Sequence, residues 1–354
     1  MIFYRKLSRL GILALFAGAV FFAFARPGQA QAAIGAGWGL CTGPLLCGLF
    51  PFMVLSRLLL VCDTHLWAGR PFCLAARLAG VKNKYAGSPI LLAWTGGFAP
   101  ACAALDALCR AGRLSAAECT ALLPLCLWAG PSFAVLTLGD ALGSRWAGWC
   151  LYAGQLAAGL LCAVLGRVLL PRGGQQKAAA APLPAGAAPT GFSGAIGQAA
   201  LSYVQLCGCV IFFRFLAEGV TCLPQPLDRL ACFLEIGSGG LQAAAGGIYG
   251  CCAVISLLGV SVLVQARALL PQAVSLAPFL LLRPVHWGCA ALVVRLLLPL
   301  GPAEAAPVYA SLAPAVLLRR RWQPGPLLLL FLLLCRAAVL LCAAPHWKKR
   351  PPVL

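Results

Sequence analysis

The 354-residue chain is 62% hydrophobic and only 10% charged, and its mean hydropathy is +0.91. This number of charged side chains is too small to cover the water-facing surface of a soluble protein of this length. The composition therefore predicts an integral membrane protein. The 27 Lys and Arg residues give a net charge of +19, but they lie in small groups between apolar runs. Such groups are typical of cytoplasmic anchors of membrane helices. Since no continuous basic face with interleaved aromatic residues occurs, we expect no nucleic-acid partner.

Metal and enzyme motifs are missing from the sequence. Most of the 19 cysteines lie inside apolar runs, where a thiol behaves as a small hydrophobic side chain. The histidines are far apart and no pair of Cys-x-x-Cys motifs has zinc spacing, so we expect no metal site. The chain also lacks Walker, HExxH and GxSxG motifs. We therefore expect no catalytic residues, no cofactor and no enzyme activity.

The chain begins with a basic segment followed by an apolar run. Residues 1–32 are interpreted as an N-terminal anchor helix that stays in the membrane, held by the positive-inside bias. A signal peptide is the alternative, because small residues near position 30 fit a cleavage site.

The remaining chain divides into two halves. Residues 171–191 are rich in Ala, Pro and Gly and predict a flexible linker that cannot build a core. Residues 33–170 are the first predicted membrane repeat, residues 192–300 the second, and residues 301–354 a C-terminal helical extension. The sequence thus predicts an all-α, polytopic integral membrane protein with about 8–10 membrane segments by span length.

Residues 88–112 form the most unusual stretch of the first half. They are apolar enough to enter a membrane, yet Gly96, Gly97 and Pro100 interrupt the middle of the stretch. Breakers at membrane depth are tolerated where the freed backbone groups face protein, water or a ligand. A re-entrant hairpin fits the basic residues on both flanks, and a kinked packing helix is the alternative. We also expect Asp106 to pair with Arg110 at i, i+4.

Helix signals follow this stretch. Ser115 and Glu118 have the spacing of a capping box, which predicts the start of a helix. That helix runs to about residue 142 and is predicted to be interrupted near Pro124 and at residues 130–133. Residues 146–170 form a further apolar helix.

The second half repeats this order. A helix at residues 196–219 precedes the short residues 230–241, which carry Glu235 ahead of glycines, and residues 248–270 are predicted as one helix. A carboxylate at membrane depth is costly and usually faces a cavity or a partner. Glu235 is therefore predicted to bind a proton or cation, or to pair with Arg214.

Interrupted segments at corresponding places in two halves point to a secondary transporter with internal repeats and a midplane site. Each predicted repeat contains one broken or re-entrant hairpin. Backbone N–H groups at the breaks would suit an anion, and Ser and Gln side chains could supply neutral hydrogen bonds or simply join helices. The predicted substrate-binding residues are Gly96, Gly97, Phe98, Ser132, Phe133, Glu235, Ser238, Gly239, Ser261 and Gln265.

Several short motifs occur in an order that resembles one known family, the YlbJ family of sporulation integral membrane proteins. That family is similar to nucleoside-recognition (gate-domain) membrane proteins and, more distantly, to concentrative nucleoside transporters. The motifs lie at residues 48–56, 97–98, 112–115, 130–133, 207–208, 212–213, 234–236, 238–239 and 259–262, with Gln265.

The resemblance implies a bacterial cell-membrane protein that lies in the outer forespore membrane during sporulation. It also implies movement of dipicolinate, a rigid aromatic dianion. A proton or Na⁺ bound at Glu235 is the expected coupling ion. Phe98, Phe133 and Phe213 would then be available to contact the ring of this small anionic substrate. A nucleoside carrier and a membrane scaffold for spore assembly that transports nothing are the alternatives.

Overall fold

The protein is helical throughout the part that the structure, a computed structural model, describes. The described residues are 2–62, 64–169, 191–224 and 227–301, and no strand occurs among them. The all-α prediction is confirmed for these residues. The predicted linker and the C-terminal extension lie outside them, apart from residues 191 and 301.

The helices of the first half come in three groups. The N-terminal group comprises α1 Ile2–Ala25, α2 Pro27–Thr42 and α3 Pro44–Val61. Short helices follow, namely α4 Thr64–Ala68, a 3₁₀ turn Arg70–Phe72 and α5 Cys73–Leu78. The last group comprises α6 Gly87–Gly96, α7 Phe98–Arg110, α8 Ala116–Cys126, a π-helical segment Ser132–Leu138, α9 Gly139–Ala141 and α10 Arg145–Leu169.

The second half begins with the longest helix of the described residues. Its elements are α11 Phe192–Thr221, a 3₁₀ segment Leu227–Phe233, α12 Ile236–Ala244, α13 Ile248–Leu257, α14 Val260–Leu269, α15 Ala277–Leu281, α16 Arg283–Leu297 and a final 3₁₀ turn Leu298–Leu300.

Three helical stretches of the described residues are long and apolar enough to cross a membrane. They are Arg145–Leu169, Phe192–Thr221 and Ile248–Leu269, and the last contains both α13 and α14. The bent pair Leu13–Ala25 and Pro27–Thr42, with an angle of 108°, makes four if it counts as one span. Length and composition therefore indicate a membrane protein.

The N-terminal helices differ from the predicted boundaries. Helix α2 continues across the proposed division between residues 32 and 33, and the apolar stretch after residue 33 forms two helices instead of one. The helix is interrupted at Gly43, immediately before Pro44. Proline lacks an N–H donor and fits the first turn of a helix, so Pro44 starts α3 rather than continuing α2.

Two local predictions are confirmed. Ser115 and Glu118 form the complete capping box at the start of α8, with the Ser115 N–H donating to the Glu118 carboxylate at 2.8 Å. Asp106 accepts from the Arg110 Nε at 2.9 Å. Pro124, in contrast, lies inside α8, and the interruption comes after it at residues 127–131.

Four interruptions of the helices define the centre of the molecule. Gly97 separates α6 from α7, and residues 127–131 separate α8 from the π-helical segment; we call residues 96–98 tip 1 and residues 127–131 break 1. In the second half, residues 234–235 join the 3₁₀ segment to α12, and residues 258–259 separate α13 from α14. We call residues 234–236 tip 2 and residues 258–259 break 2.

Break 2 was not predicted, because residues 248–270 read as one apolar helix. Leu258 has φ 62°, the only positive φ at a non-glycine among the described residues. Such a conformation is unfavourable by about 1–3 kcal/mol and persists only where the surroundings impose it. The close packing of tip 2 on break 2 imposes this conformation. A Cβ on Gly259, the residue after Leu258, would lie only 2.9 Å from the Ile236 nitrogen of tip 2.

The helices pack in corresponding pairs in the two halves. Helix α10 packs on α8 and α16 on α13; likewise α3 packs on the π-helical segment and α11 on α14. Helix α7, after tip 1, contacts α14, while α12, after tip 2, contacts the π-helical segment. Each tip therefore leads into a helix that touches the broken helix of the other half.

Candidate functional site

Tip 1 and break 1 meet through two glycines. Gly97 has φ 82°, which side-chain-bearing residues rarely adopt. A Cβ on Gly97 would lie 2.9 Å from the Gly130 nitrogen, and a Cβ on Gly130 would lie 3.3 Å from the Gly97 nitrogen. The two backbones approach this closely because neither residue has a side chain. We call this contact junction 1.

Neutral side chains satisfy the backbone groups that junction 1 frees. The Ala129 N–H donates to Gln155 Oε1 at 3.1 Å, and Gln155 is fully buried on α10. The indole N–H of Trp128, in break 1 itself, adds a second hydrogen bond at 3.2 Å to the Ala93 carbonyl, which also accepts from the Gly97 N–H. The Tyr152 hydroxyl donates to the neighbouring carbonyl of Trp94. Unpaired backbone groups at a buried helix end are costly, so these side chains make the interruption tolerable.

Tip 2 and break 2 form the corresponding contact in the second half, which we call junction 2. The Ser261 N–H, in the first turn of α14, donates to the Leu234 carbonyl of tip 2 at 3.0 Å. Gly259 lies against the backbone of Glu235 and Ile236, at 3.4 Å and 2.9 Å from the position of a Cβ. Backbone thus contacts backbone at both junctions.

Glu235 stabilises the start of α12 at junction 2. Its carboxylate accepts from the Gly237 N–H at 2.7 Å and from the Ser238 N–H, and its side chain is 1% exposed. A carboxylate at this position satisfies two of the free N–H groups and complements the positive end of the helix. The carboxylate retains further lone pairs, since an ionised carboxylate offers about four acceptor positions.

Both junctions line one cavity. Its volume of about 60 Å³ compares with the roughly 10–15 Å³ that a single water needs, so it has room for about four waters. Helices α3 and α11 complete its wall. The lining residues are Leu45, Leu49, Met53, Gly96, Gly97, Phe98, Ala99, Ala129, Gly130, Phe133, Leu206, Val210, Glu235, Ile236, Gly237, Leu258, Ser261, Val262 and Gln265.

Most of the predicted binding residues lie on this cavity, although they come from distant parts of the sequence. The predicted residues in its wall are Gly96, Gly97, Phe98, Phe133, Glu235, Ser261 and Gln265.

Three of the predicted binding residues do not line the cavity. Ser132 lies against Gly48 of α3, its Cβ being 3.5 Å from the position of a Cβ on that glycine. Gly239 lies against the Cys232 carbonyl, behind tip 2, and Ser238 contributes its N–H to Glu235.

The cavity wall contains few polar side chains. They are Glu235, Gln265 and Ser261, whose buried hydroxyl has no hydrogen-bond partner. No Lys, Arg or His is among the lining residues. Arg214, considered as a partner for Glu235, instead pairs with Glu218 at 3.0 Å. Ionised Glu235 would therefore make the cavity negative.

At tip 2, the Glu235 carboxylate takes the place expected for a bound anion. The N–H groups of Gly237 and Ser238, expected to bind an anion, donate to the Glu235 carboxylate instead. The Gly239 N–H donates to the backbone carbonyl of Glu235 at 2.9 Å. The expectation failed because the acid and the glycines that follow it form one closed cap.

Sequence reasoning missed the residues that α3 and α11 contribute. Leu45, Leu49 and Met53 recur every four residues, so they lie on one face of α3, and Leu206 and Val210 do the same on α11. Gln155 was also missed, because its partner lies 26 residues away in sequence. The four-residue spacing was a usable signal, whereas nothing in the sequence pointed to Gln155.

Comparison of the chain with protein-family models, with curated proteins and with solved structures finds no match in any of the three. Fold and site together define an all-helical membrane protein with a buried cavity at the crossing of two helix interruptions from each half. No group of three or more His, Cys, Asp and Glu side chains in the described part of the chain could hold a metal ion.

Proposed function

We propose that this chain is a polytopic membrane transporter or facilitator that moves a small solute through the cavity between its two junctions. The observation that carries the proposal is the position of tip 1, break 1, tip 2 and break 2 around one cavity with a buried carboxylate. Broken helices at membrane depth are the usual way in which transporters expose backbone groups to a solute.

A proposed internal repeat is consistent with this function. Each half supplies, in the same order, a helix, a hairpin with a tip, an interrupted helix and a second helix. If the hairpins enter and leave on one face, each half crosses the membrane three times. An odd number of crossings places the second repeat upside down relative to the first. Inverted repeats of this kind give a carrier two exchangeable states around one fixed site.

Glu235 is the proposed coupling residue. It is the only acidic or basic residue among those that line the cavity, and it is buried. A buried charge is unfavourable unless a partner or an ion compensates it, so a proton or Na⁺ that binds Glu235 would lower the energy of the loaded carrier. Ser261 and Gln265 lie in the same wall and provide neutral hydrogen bonds for the solute.

Dipicolinate is the first solute to test, because the family that the sequence resembles is linked to its movement into the forespore. A dianion beside an ionised Glu235 would be repelled, so its entry requires protons or cations bound with it. The cavity holds about four waters, so the tips must also separate to admit an aromatic ring. The proposed location is the outer forespore membrane.

A nucleoside is a second candidate solute. The cavity offers a carboxylate, a hydroxyl and an amide but no cationic side chain, and this set suits a neutral molecule rich in hydroxyl groups. Nucleosides also bring an aromatic ring that Phe98 and Phe133 could contact.

A thermal-shift screen of the purified full chain tests these proposals. The probes are dipicolinate, uridine and a simple dicarboxylate such as succinate, and the variants are Glu235→Gln and, as a control outside the cavity, Glu218→Gln. We expect dipicolinate, together with the cation that compensates its charge, to raise the melting temperature of the wild type and of the control but not of Glu235→Gln, which has no carboxylate to hold that cation. Stabilisation by uridine alone would favour the nucleoside carrier. No stabilisation by any probe would count against transport and favour a scaffold.

A further inference from the structure

Helix α16 carries two buried cationic or ionisable side chains outside the cavity wall. Arg283, its first residue, is 4% exposed, and His286 is 1% exposed. Residues three apart lie on the same face of a helix, so the two side chains belong to one patch. Neither residue lines the cavity.

The guanidinium of Arg283 has a buried hydrogen-bonding edge that lacks partners. Its Nε and Nη2 are both buried and neither has a hydrogen-bond partner. These two atoms form the side-on edge of the guanidinium, which donates two parallel hydrogen bonds to a carboxylate or phosphate. Phe279 covers one face of the group, with its ring centre 4.8 Å from the guanidinium carbon. The remaining edge therefore presents a defined geometry to a planar or tetrahedral oxyanion.

His286 adds unused hydrogen-bonding capacity to the same patch. Neither buried ring nitrogen makes a well-formed hydrogen bond, although the ring lies near the backbone of Gln155. Buried polar groups in folded proteins are nearly always paired, so several unpaired groups on one face of a helix need an explanation. A ligand that accepts hydrogen bonds would pair them together.

No acidic side chain that the structure describes compensates Arg283. Arginine stays protonated in proteins, and a buried charge without a partner is strongly unfavourable. The five acids whose side chains the structure describes are engaged elsewhere: Asp106 with Arg110, Glu118 in its capping box, Asp140 with Arg145, Glu218 with Arg214, and Glu235 at α12. An external anion would supply the missing charge.

The start of α16 reinforces the positive potential. The helix has 15 residues, no side-chain cap and no acidic residue in its first turn. Pro284 in this turn has no N–H and the His286 N–H donates to the Leu282 carbonyl, so the helix dipole is the main attraction for an anion at this terminus. Leu282, the residue before Arg283, packs near Gly166, at the end of α10 that carries Arg167. The patch thus lies at a basic end of the α10–α16 pair.

We propose that Arg283 and His286, at the start of α16, bind an oxyanion, namely a phosphate group that belongs either to free phosphate or to an anionic lipid headgroup. The Nε–Nη2 edge of Arg283 holds two of its oxygens and His286 donates to the same group. Basic pockets between membrane helices are known places for lipid headgroups. This site is separate from the proposed transport cavity and does not depend on it.

The test measures thermal unfolding of the full chain in detergent at constant ionic strength, with sodium phosphate replacing sodium chloride. The variants are Arg283→Gln and the matched control Arg295→Gln, whose arginine is exposed in the last turn of the same helix. We expect saturating phosphate to raise the melting temperature of the wild type and of the control by about 4 °C. The rise should disappear in Arg283→Gln.

A second arm separates the two sources of the phosphate group. Vesicles of phosphatidylcholine alone are compared with vesicles that contain phosphatidylglycerol, using the same three proteins. Stabilisation by free phosphate identifies a soluble anion, and stabilisation by phosphatidylglycerol alone identifies a lipid headgroup. A wild type that responds to neither would overturn the proposal, and so would a response that survives in Arg283→Gln.

A further variant keeps the test decisive if Arg283→Gln does not fold. Arg283→Lys retains the positive charge but loses the two-pronged edge. We expect the phosphate-induced rise to fall to less than half of the wild-type value in this variant, whereas an equal rise would contradict bidentate binding.

Discussion

Junctions 1 and 2 have the same backbone arrangement but different chemistry. At junction 1, the neutral side chains of Trp128 in break 1 and of Gln155 and Tyr152 in α10 bind the backbone groups near the interruptions. At junction 2, a carboxylate two or three residues away does so, through the bonds from Gly237 and Ser238 to Glu235. The comparison teaches that an arrangement shared by two halves can keep ionisable chemistry in one half only.

That difference assigns separate roles to the two junctions. Junction 1 depends on close contact of two glycines and on uncharged hydrogen bonds, so ions and protons have no group to act on there. Junction 2 contains the only carboxylate of the cavity wall. We expect substitutions at junction 1 to affect mainly stability and substitutions at junction 2 to affect both stability and transport.

The largest effect on stability is expected from Gly97→Ala. The new Cβ would lie 2.9 Å from the Gly130 nitrogen, and the residue has φ 82°. Backbone strain and overpacking together should destabilise the protein by about 4 kcal/mol. Thermal melting in detergent measures this loss. The control is Gly208→Ala in α11, where a Cβ meets nothing within 4 Å; if both variants melted alike, the close glycine contact would not exist.

Glu235→Ala should have the next largest effect. It leaves the N–H groups of Gly237 and Ser238 without their charged acceptor, which costs about 3 kcal/mol for two buried charge-assisted hydrogen bonds. Glu235→Gln keeps one acceptor oxygen and should melt between the alanine variant and the wild type. Equal melting temperatures for wild type and alanine variant would show that Glu235 does not cap α12.

Gln155→Leu tests the neutral hydrogen bond that Gln155 makes at junction 1. The leucine is similar in size but cannot accept the Ala129 N–H, which costs about 1.5 kcal/mol. It also removes the Gln155 Nε2, a buried donor without a partner, so the net loss should be below this value. The same melting experiment should place this variant between wild type and Glu235→Ala. A loss larger than that of Glu235→Ala would reverse the comparison between the two junctions.

The smallest effect is expected from Asp106→Asn. This substitution weakens a pair with Arg110, whose side chain is 63% exposed, so water screens much of the interaction. We expect a loss of about 0.5 kcal/mol or less, as for other surface ion pairs. A larger loss would indicate that Asp106 has a role beyond this pair.

The sequence predicted the interruptions that have local causes. Gly96 and Gly97 permit a conformation that other residues avoid, and break 1 includes Gly130 and Pro131, so both are visible as breaker residues. The capping box at Ser115 was also visible, because it depends on two residues three positions apart. Glu235 could be selected because an acidic residue stands out in an apolar stretch.

The sequence could not predict interruptions and contacts that tertiary packing imposes. Leu258 lies in an apolar run typical of a continuous helix, and its positive φ follows from the approach of tip 2 to Gly259. The Gln155 contact and the contribution of α3 and α11 to the wall depend on how distant segments assemble. Local propensity contains no information about these contacts, so they emerge only in the folded chain.

Uptake of labelled dipicolinate into vesicles that contain the purified chain tests the central claim most directly. Wild type, Glu235→Gln and the control Glu218→Gln are compared at equal protein content, with and without an imposed proton or Na⁺ gradient. We predict that wild type and control accumulate the label and respond to one of the gradients, while Glu235→Gln shows only the leak of empty vesicles. Uptake by Glu235→Gln equal to that of the wild type would contradict the role of the cavity and its carboxylate.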